Sequence, residues 1–204
     1  MKNLNNYIFE KLNIKNIKIH QYKYHPKTKD ELKELVNKLI GERGHDADLN
    51  DIDTSEITDM SLLFNKLDPH YIDISRWNVS NVTDMNGIFL YCKNFSSDLS
   101  KWDVSKVTDM HHMFYDCNKF KSDLSNWNVS NVTSMIYMFA FCHKFNADLS
   151  KWNVNKVINM RYMFVNCEKF DCDISSWNVS NVTDMYNIFK GCTSLKNIPS
   201  WYKE

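Results

Sequence analysis

The sequence predicts an α/β repeat solenoid: a stack of six 25-residue coils, each with a short strand and a short helix, behind a helical N-terminal cap. Two observations carry that prediction. The stretch DLSKWDVSKVTDMHHMFYDCNKFKS, from Asp98 to Ser122, returns with few changes from Asp73, Asp123, Asp148 and Asp173, and more weakly from Asp48. The residues that recur are largely apolar, and no single coil could bury them alone. A fixed period of roughly 20–50 residues marks an array of stacked units. The copies divide the chain into a capping segment (1–47), six coils (48–197) and a C-terminal cap (198–204).

In the capping segment Leu4, Tyr7, Ile8 and Leu12 have helical spacing, and Ile17, Ile19, Tyr22 and Tyr24 read as an extended segment before His25-Pro26. Thr28 followed three residues later by Glu31 is a capping box, and Leu32, Leu35, Val36, Leu39 and Ile40 trace one face of a helix near 28–41. Gly41 and Gly44 are its stop residues. This helix is expected to cover the open apolar end of the first coil, because stacked repeats need atypical terminal units. Residues 46–59, DADLNDIDTSEITD, look superficially like a calcium loop. An EF-hand needs Gly at its sixth place and Glu at its twelfth. Those places hold Asp51 and Ile57, so the match fails.

Within one coil, Met110, Met113, Phe114 and Cys117 fall at i, i+3, i+4 and i+7, the stripe of a short helix that Thr108 or Asp109 would cap. Leu99, Trp102 and Val104 suggest a short strand paired in parallel with its equivalents about 4.8 Å away. Stacking turns recurring residues into columns. Trp fills 77, 102, 127, 152 and 177; Met recurs at 60, 85, 110, 135, 160 and 185; Phe recurs at 64, 89, 114, 139, 164 and 189. Cysteines 92, 117, 142, 167 and 192 form an inward column, read as free thiols packed as small hydrophobes. Cys172 stands where other copies have Ser or Ala. Asp48, Asp73, Asp98, Asp123, Asp148 and Asp173 form a column of like charge, which needs turn amides or the neighbouring serines as donors. A calcium ion between coils is the sharper alternative, without the Gly-rich nonapeptide that such sites use. Pro199 suits the end of a ladder.

Lys+Arg and Asp+Glu both number 25, so the formal net charge is zero. Residues 1–47 carry a net +4 and the rest a net −4, without the clustered basic footprint that nucleic acid requires. Apolar runs are too short for a membrane helix, and the N-terminus has no apolar signal core, so a cytoplasmic chain is expected, or a surface or secreted one if a signal lies upstream. Asn78, Asn81, Asn94, Asn128, Asn131, Asn178 and Asn181 match Asn-X-Ser/Thr, and are read as turn residues of the repeat.

The phrase FxxDLSxWxVSxVTxMxxMFxxCxxF resembles the repeat of the BspA-type leucine-rich-repeat surface proteins, whose 25-residue form occurs in bacterial surface lipoproteins. It covers about three-quarters of the chain. The resemblance implies a leucine-rich-repeat-like, right-handed solenoid with a protein-binding or adhesive role and no enzymatic activity. The chain departs from those proteins in showing neither an export signal nor a lipid-attachment Cys.

Positions that vary between copies are released from packing, so partner chemistry is sought there. On the expected helix the outward places lie two, five and six residues after the Met. They are small or polar in the end coils and aromatic in the middle, where Tyr91, His112, Tyr115, Tyr137, Phe141 and Tyr162 would form one exposed ridge. The alternative is that other segments cover this ridge, or that the helix is rotated to bury part of it. The function expected is a monomeric, non-enzymatic interaction module that binds a protein partner through the ridge, with no cofactor, metal, nucleic acid or membrane insertion. An exported adhesin is the alternative, and a metal-dependent enzyme the remote one, for which no convergent ligand or acid/base set is present.

Overall fold

A computed structural model describes residues 22–65, 67 and 69–203. The expected helix over Leu4–Leu12 and the extended residues Ile17 and Ile19 lie outside them. Helix α1, Lys29–Arg43, is the only α-helix among the described residues. Thr28 accepts from the Glu31 amide at 3.2 Å, and the Glu31 carboxylate accepts from the Lys27 amide at 2.7 Å, so the capping box closes one residue earlier than the reciprocal form. The helix runs through Gly41 and stops at Gly44, whose φ of 85° and N–H to the Ile40 carbonyl make a left-handed stop. Leu32, Val36, Leu39 and Ile40 are buried in the same cluster as Leu49, Ile52, Ile57 and Met60 of the first coil. The chain before α1 adds a parallel bridge, Tyr24 to Ile52. Arg43 donates to both Asp51 oxygens at 2.9 and 2.8 Å, Lys29 pairs with Asp59, and Lys27 with Glu56.

From Asp48 onward the copies lie on one another. Phe64, Phe89, Phe114, Phe139, Phe164 and Phe189 stack at 5.4–6.1 Å between neighbours, with planes within 12°. A second Phe column at 95, 120, 145 and 170 leans on it at about 4 Å within each coil. The indole N–H of each Trp donates to the Leu or Ile carbonyl of the coil before: Trp77 to Leu49, Trp102 to Ile74, Trp127 to Leu99, Trp152 to Leu124, Trp177 to Leu149, at 2.9–3.1 Å. Each column cysteine points its thiol at the Phe carbonyl one coil back, as Cys142 does at Phe114, 2.9 Å away. Burial raises the thiols of Cys117, Cys142, Cys167 and Cys192, the last pushed up to about 12.

The local elements differ from the expectation. No helix follows Met110: residues 111–116 form consecutive turns, as do 86–91, 136–141, 161–166 and 186–191. Met113, Tyr115 and Cys117 donate to the carbonyls of Met110, His112 and Phe114, while Met110, His112, Phe114 and Asp116 donate out of the coil to Ser134, Ile136, Met138 and Ala140. In each coil from the second to the sixth, two residues, at the second and sixth places after the Met, take positive φ: Gly87 and Tyr91, His112 (55°) and Asp116 (60°), Tyr137 and Phe141, Tyr162 and Asn166, Asn187 and Gly191. A helix has no room for these, and the reward for adopting them is a hydrogen-bonded seam between coils. The strand expected at Leu99–Val104 is also absent; parallel bridges between coils join Asp59, Asp84, Asp109, Ser134, Asn159 and Asp184, and, in the first two coils, Asp48 and Asp73.

Side chains finish the turns. Oδ1 of each residue in the Asp48–Asp173 column accepts from the amide two residues on, at 2.8–3.0 Å. The Ser100 amide, then the Ser100 hydroxyl, hold the Asp98 carboxyl below the usual carboxylate range. Asn78 accepts from the Ser80 amide and Asn81 donates to the Ser55 carbonyl one coil back. Cys172 takes the place of Ser122, accepting from the Leu149 amide as Ser122 accepts from Leu99. Residues 199–202 repeat the start of a coil: the Tyr202 amide donates to Pro199 as that of Trp177 does to Ile174, and the Trp201 indole reaches the Ile174 carbonyl at 3.2 Å.

Candidate interaction ridge

The turn face of each coil sets up the ridge. At the second and sixth places the left-handed backbone throws the side chain outward, while the third, fourth and seventh places (Met113, Phe114, Cys117) stay buried. Left-handed φ costs an L-residue about 1–2 kcal/mol, which is why Gly87, Gly191, Asn166, Asn187 and Asp116 stand in the same two columns. An aromatic pair contributes about 0.5–1.5 kcal/mol beyond its buried area, enough to offset that cost where the columns hold rings instead.

All six expected ridge residues come together. Tyr91 meets Tyr115 edge-on at 5.3 Å; Tyr115 touches His112 and Phe141, both at 5.3 Å, and Tyr137 at 5.8 Å. His112 lies flat on Tyr137 at 5.0 Å, and Tyr137 on Tyr162 at 4.7 Å. Tyr91 is 49% exposed and the other five are half-buried, so the rings form a connected strip with open edges. Not every place expected to face outward does: Ala140 and Val165, at the fifth place, are buried beside the left-handed residue that follows each, and Gly87, at the second place, is buried with Leu62 over the spot a Cβ would take.

The strip also takes in residues from the place directly after the Met, a column the helical reading passed over. His111 stacks on His112 at 4.0 Å, Tyr186 meets Tyr162 at 5.5 Å, and the Arg161 guanidinium sits 5.0 Å from the Tyr162 ring and 4.8 Å from Tyr186. A signal for them existed. Ser61, Asn86, His111, Ile136, Arg161 and Tyr186 vary as freely as the ridge positions themselves.

The centre of the strip is uncharged at neutral pH. Burial, and then the neighbouring His111, hold His112 down at about 4, with Asp109 opposing. Burial, followed by Tyr91 and Tyr137, raises Tyr115 above the ordinary tyrosine value. Charges lie at its margins, in the pairs Lys93–Asp116 and Arg161–Asp184, both 3.5 Å apart. An apolar centre with a charged rim is the anatomy of a protein interface.

Among the described residues no group of three His, Cys, Asp or Glu side chains is placed to hold a metal ion, and no helix is long and apolar enough to cross a membrane. The family described as "Mycoplasma protein of unknown function, DUF285" matches the chain twice, over residues 31–140 and 92–202. No curated protein and no solved structure matches it.

Proposed function

The chain belongs to that DUF285 family, and from this premise we propose that it is a non-enzymatic interaction module whose aromatic strip receives a protein partner. The observation that carries the reading is the unbroken ring contact from Tyr91 to Tyr162, uncharged at its centre and edged by ion pairs. A packed core needs none of those rings to be half-exposed. We also propose the finer architecture, a right-handed solenoid akin to the BspA-type leucine-rich-repeat proteins with turns in place of the helix; the 25-residue phrase and the coil-to-coil hydrogen bonds support it.

The test combines Tyr115→Ala, Tyr137→Ala and Phe141→Ala. The buried columns beneath are untouched, so the variant should unfold cooperatively in urea at a lowered midpoint. Proteins retained by the immobilised wild-type chain from a cell extract, identified by mass spectrometry, should be lost by the folded variant. Equal retention by both would remove the strip as the binding surface.

A further inference from the structure

We propose that the aromatic strip takes an amphipathic helix laid along the stack, its apolar stripe over the rings and its acidic flank against a column of lysines at the strip's edge. This rests on the strip being the binding surface and adds the chemistry of the partner. The column stands just past the sixth place, at the eighth and ninth places after the Met. It holds Lys93, Lys119, Lys144 and Lys169, exposed on four consecutive coils. Asp116, at the sixth place, fixes how near the column lies to the rings, since its carboxylate is 3.5 Å from the Lys93 ammonium. The Lys119 amide donates to the Lys93 carbonyl at 3.2 Å, so the two places adjoin from coil to coil.

Lys119, Lys144 and Lys169 have no carboxylate partner among the described residues. Glu168, the acid at these places in the same four coils, lies 3.2 Å from His143. Like charges on successive coils without counter-charges favour an acidic partner. The opposite edge has the reverse sign. Asp84 and Asp109, directly before the Met, each accept at Oδ1 from the amide two residues on at 2.8 Å, and neither has a cationic partner among the described residues. An acidic flank is therefore drawn to one side only, which sets the rotation of the helix on the strip.

Spacing selects a helix over an extended segment. Along the second place Tyr137 follows His112 at 5.0 Å and Tyr162 follows Tyr137 at 4.7 Å. A helical turn rises about 5.4 Å, so apolar residues at i, i+3, i+4 and i+7 slip against the coils by only about 0.5 Å per turn. A strand lying the same way advances about 6.7 Å for every two residues and slips by about 2 Å at each coil. The faces of His112, Tyr137 and Tyr162 are taken up by one another, so the strip offers ring edges. Edges receive aliphatic side chains between them, the mode of a helix in an apolar groove, and leave no open face for a sugar to stack upon.

The probe is the blocked peptide (Leu-Glu-Glu-Leu-Leu-Glu-Ala)3, whose leucines form a stripe with Glu along one flank and Ala along the other. Calorimetry follows its binding to the full chain and circular dichroism its folding. The wild type should bind it saturably with a gain of helix signal, and added salt should weaken binding. Lys119→Glu with Lys144→Glu and Lys169→Glu should weaken it by roughly tenfold or more, and the ridge triple variant should lose it. Lys101→Glu with Lys151→Glu, which stand beside Asp98 and Asp148, should leave it unchanged. The inference is overturned if the alternating peptide (Leu-Glu)10 or the basic (Leu-Lys-Lys-Leu-Leu-Lys-Ala)3 binds as well. It is overturned too if the acidic helix is ignored while the ridge triple variant still loses proteins from the extract, which would leave the strip standing as a surface for another partner. If the helix is ignored and the extract proteins are retained by both, the two readings fall together. A dimer in sedimentation that the ridge substitutions abolish would make the strip a contact between copies and overturn the inference as well.

Discussion

At the scale of single residues, the ring of His112 is the most informative group on the strip. It sits among His111, Tyr115 and Tyr137 in a setting that refuses a proton until about pH 4, whereas the unfolded chain accepts one near 6.5. Between those values the unfolded state holds more protons, so stability rises with pH and is lost on acidification from about 6.5 toward 4. Allowing for solvent at the ring's open edge, the loss is about 1–2 kcal/mol. His112→Asn should flatten this part of the profile in urea unfolding at pH 4.5 and 7.5. An unchanged slope would show that His112 titrates as an ordinary surface histidine. The identity of the ridge residues was legible because they vary in a sequence where little else does. Their backbone was not, because a lone Tyr or His carries no mark of positive φ; only Gly87, Gly191, Asn166, Asn187 and Asp116, read down the same columns, betray it.

At the scale of elements, α1 and the coil turns obey opposite rules for glycine. Gly41 lies within α1 with open space where a Cβ would go, so Gly41→Ala should stabilise the chain by about 0.5–1 kcal/mol. Gly87 has φ +56° and a Cβ there would lie 2.8 Å from Leu62 Cδ2, so Gly87→Ala should cost about 1–2 kcal/mol. Chemical denaturation of the two variants checks both signs, and a stabilising Gly87→Ala would mean that the turn face is helical after all. The α1 reading succeeded because capping box, apolar stripe and stop residue all agreed over Lys29–Arg43. The coil helix failed because Met110, Met113, Phe114 and Cys117 also fit successive turns, whose bonds from Met113 to Met110 and from Cys117 to Phe114 keep the same three-residue spacing. Periodicity records which side chains point inward, and here two backbones share that pattern.

At the scale of the molecule, the 25-residue period was legible because identical residues gain by lying on one another. Phe on Phe and Trp over the previous Leu carbonyl reward equal spacing, and like-charged Asp residues tolerate it once each has its own turn amide. The polarity of the seam was not legible, since it resides in peptide orientation and no side chain encodes it. The proposed surface depends on that seam, because left-handed turns project its rings. Scalar couplings across hydrogen bonds, read in a long-range HNCO spectrum of the deuterated chain, test it directly. The account predicts correlations from the amides of His112, Phe114 and Tyr137 to the carbonyl carbons of Ile136, Met138 and Arg161. Correlations from Phe114 to Met110 and from Phe139 to Met135 would instead place a helix in each coil and contradict it.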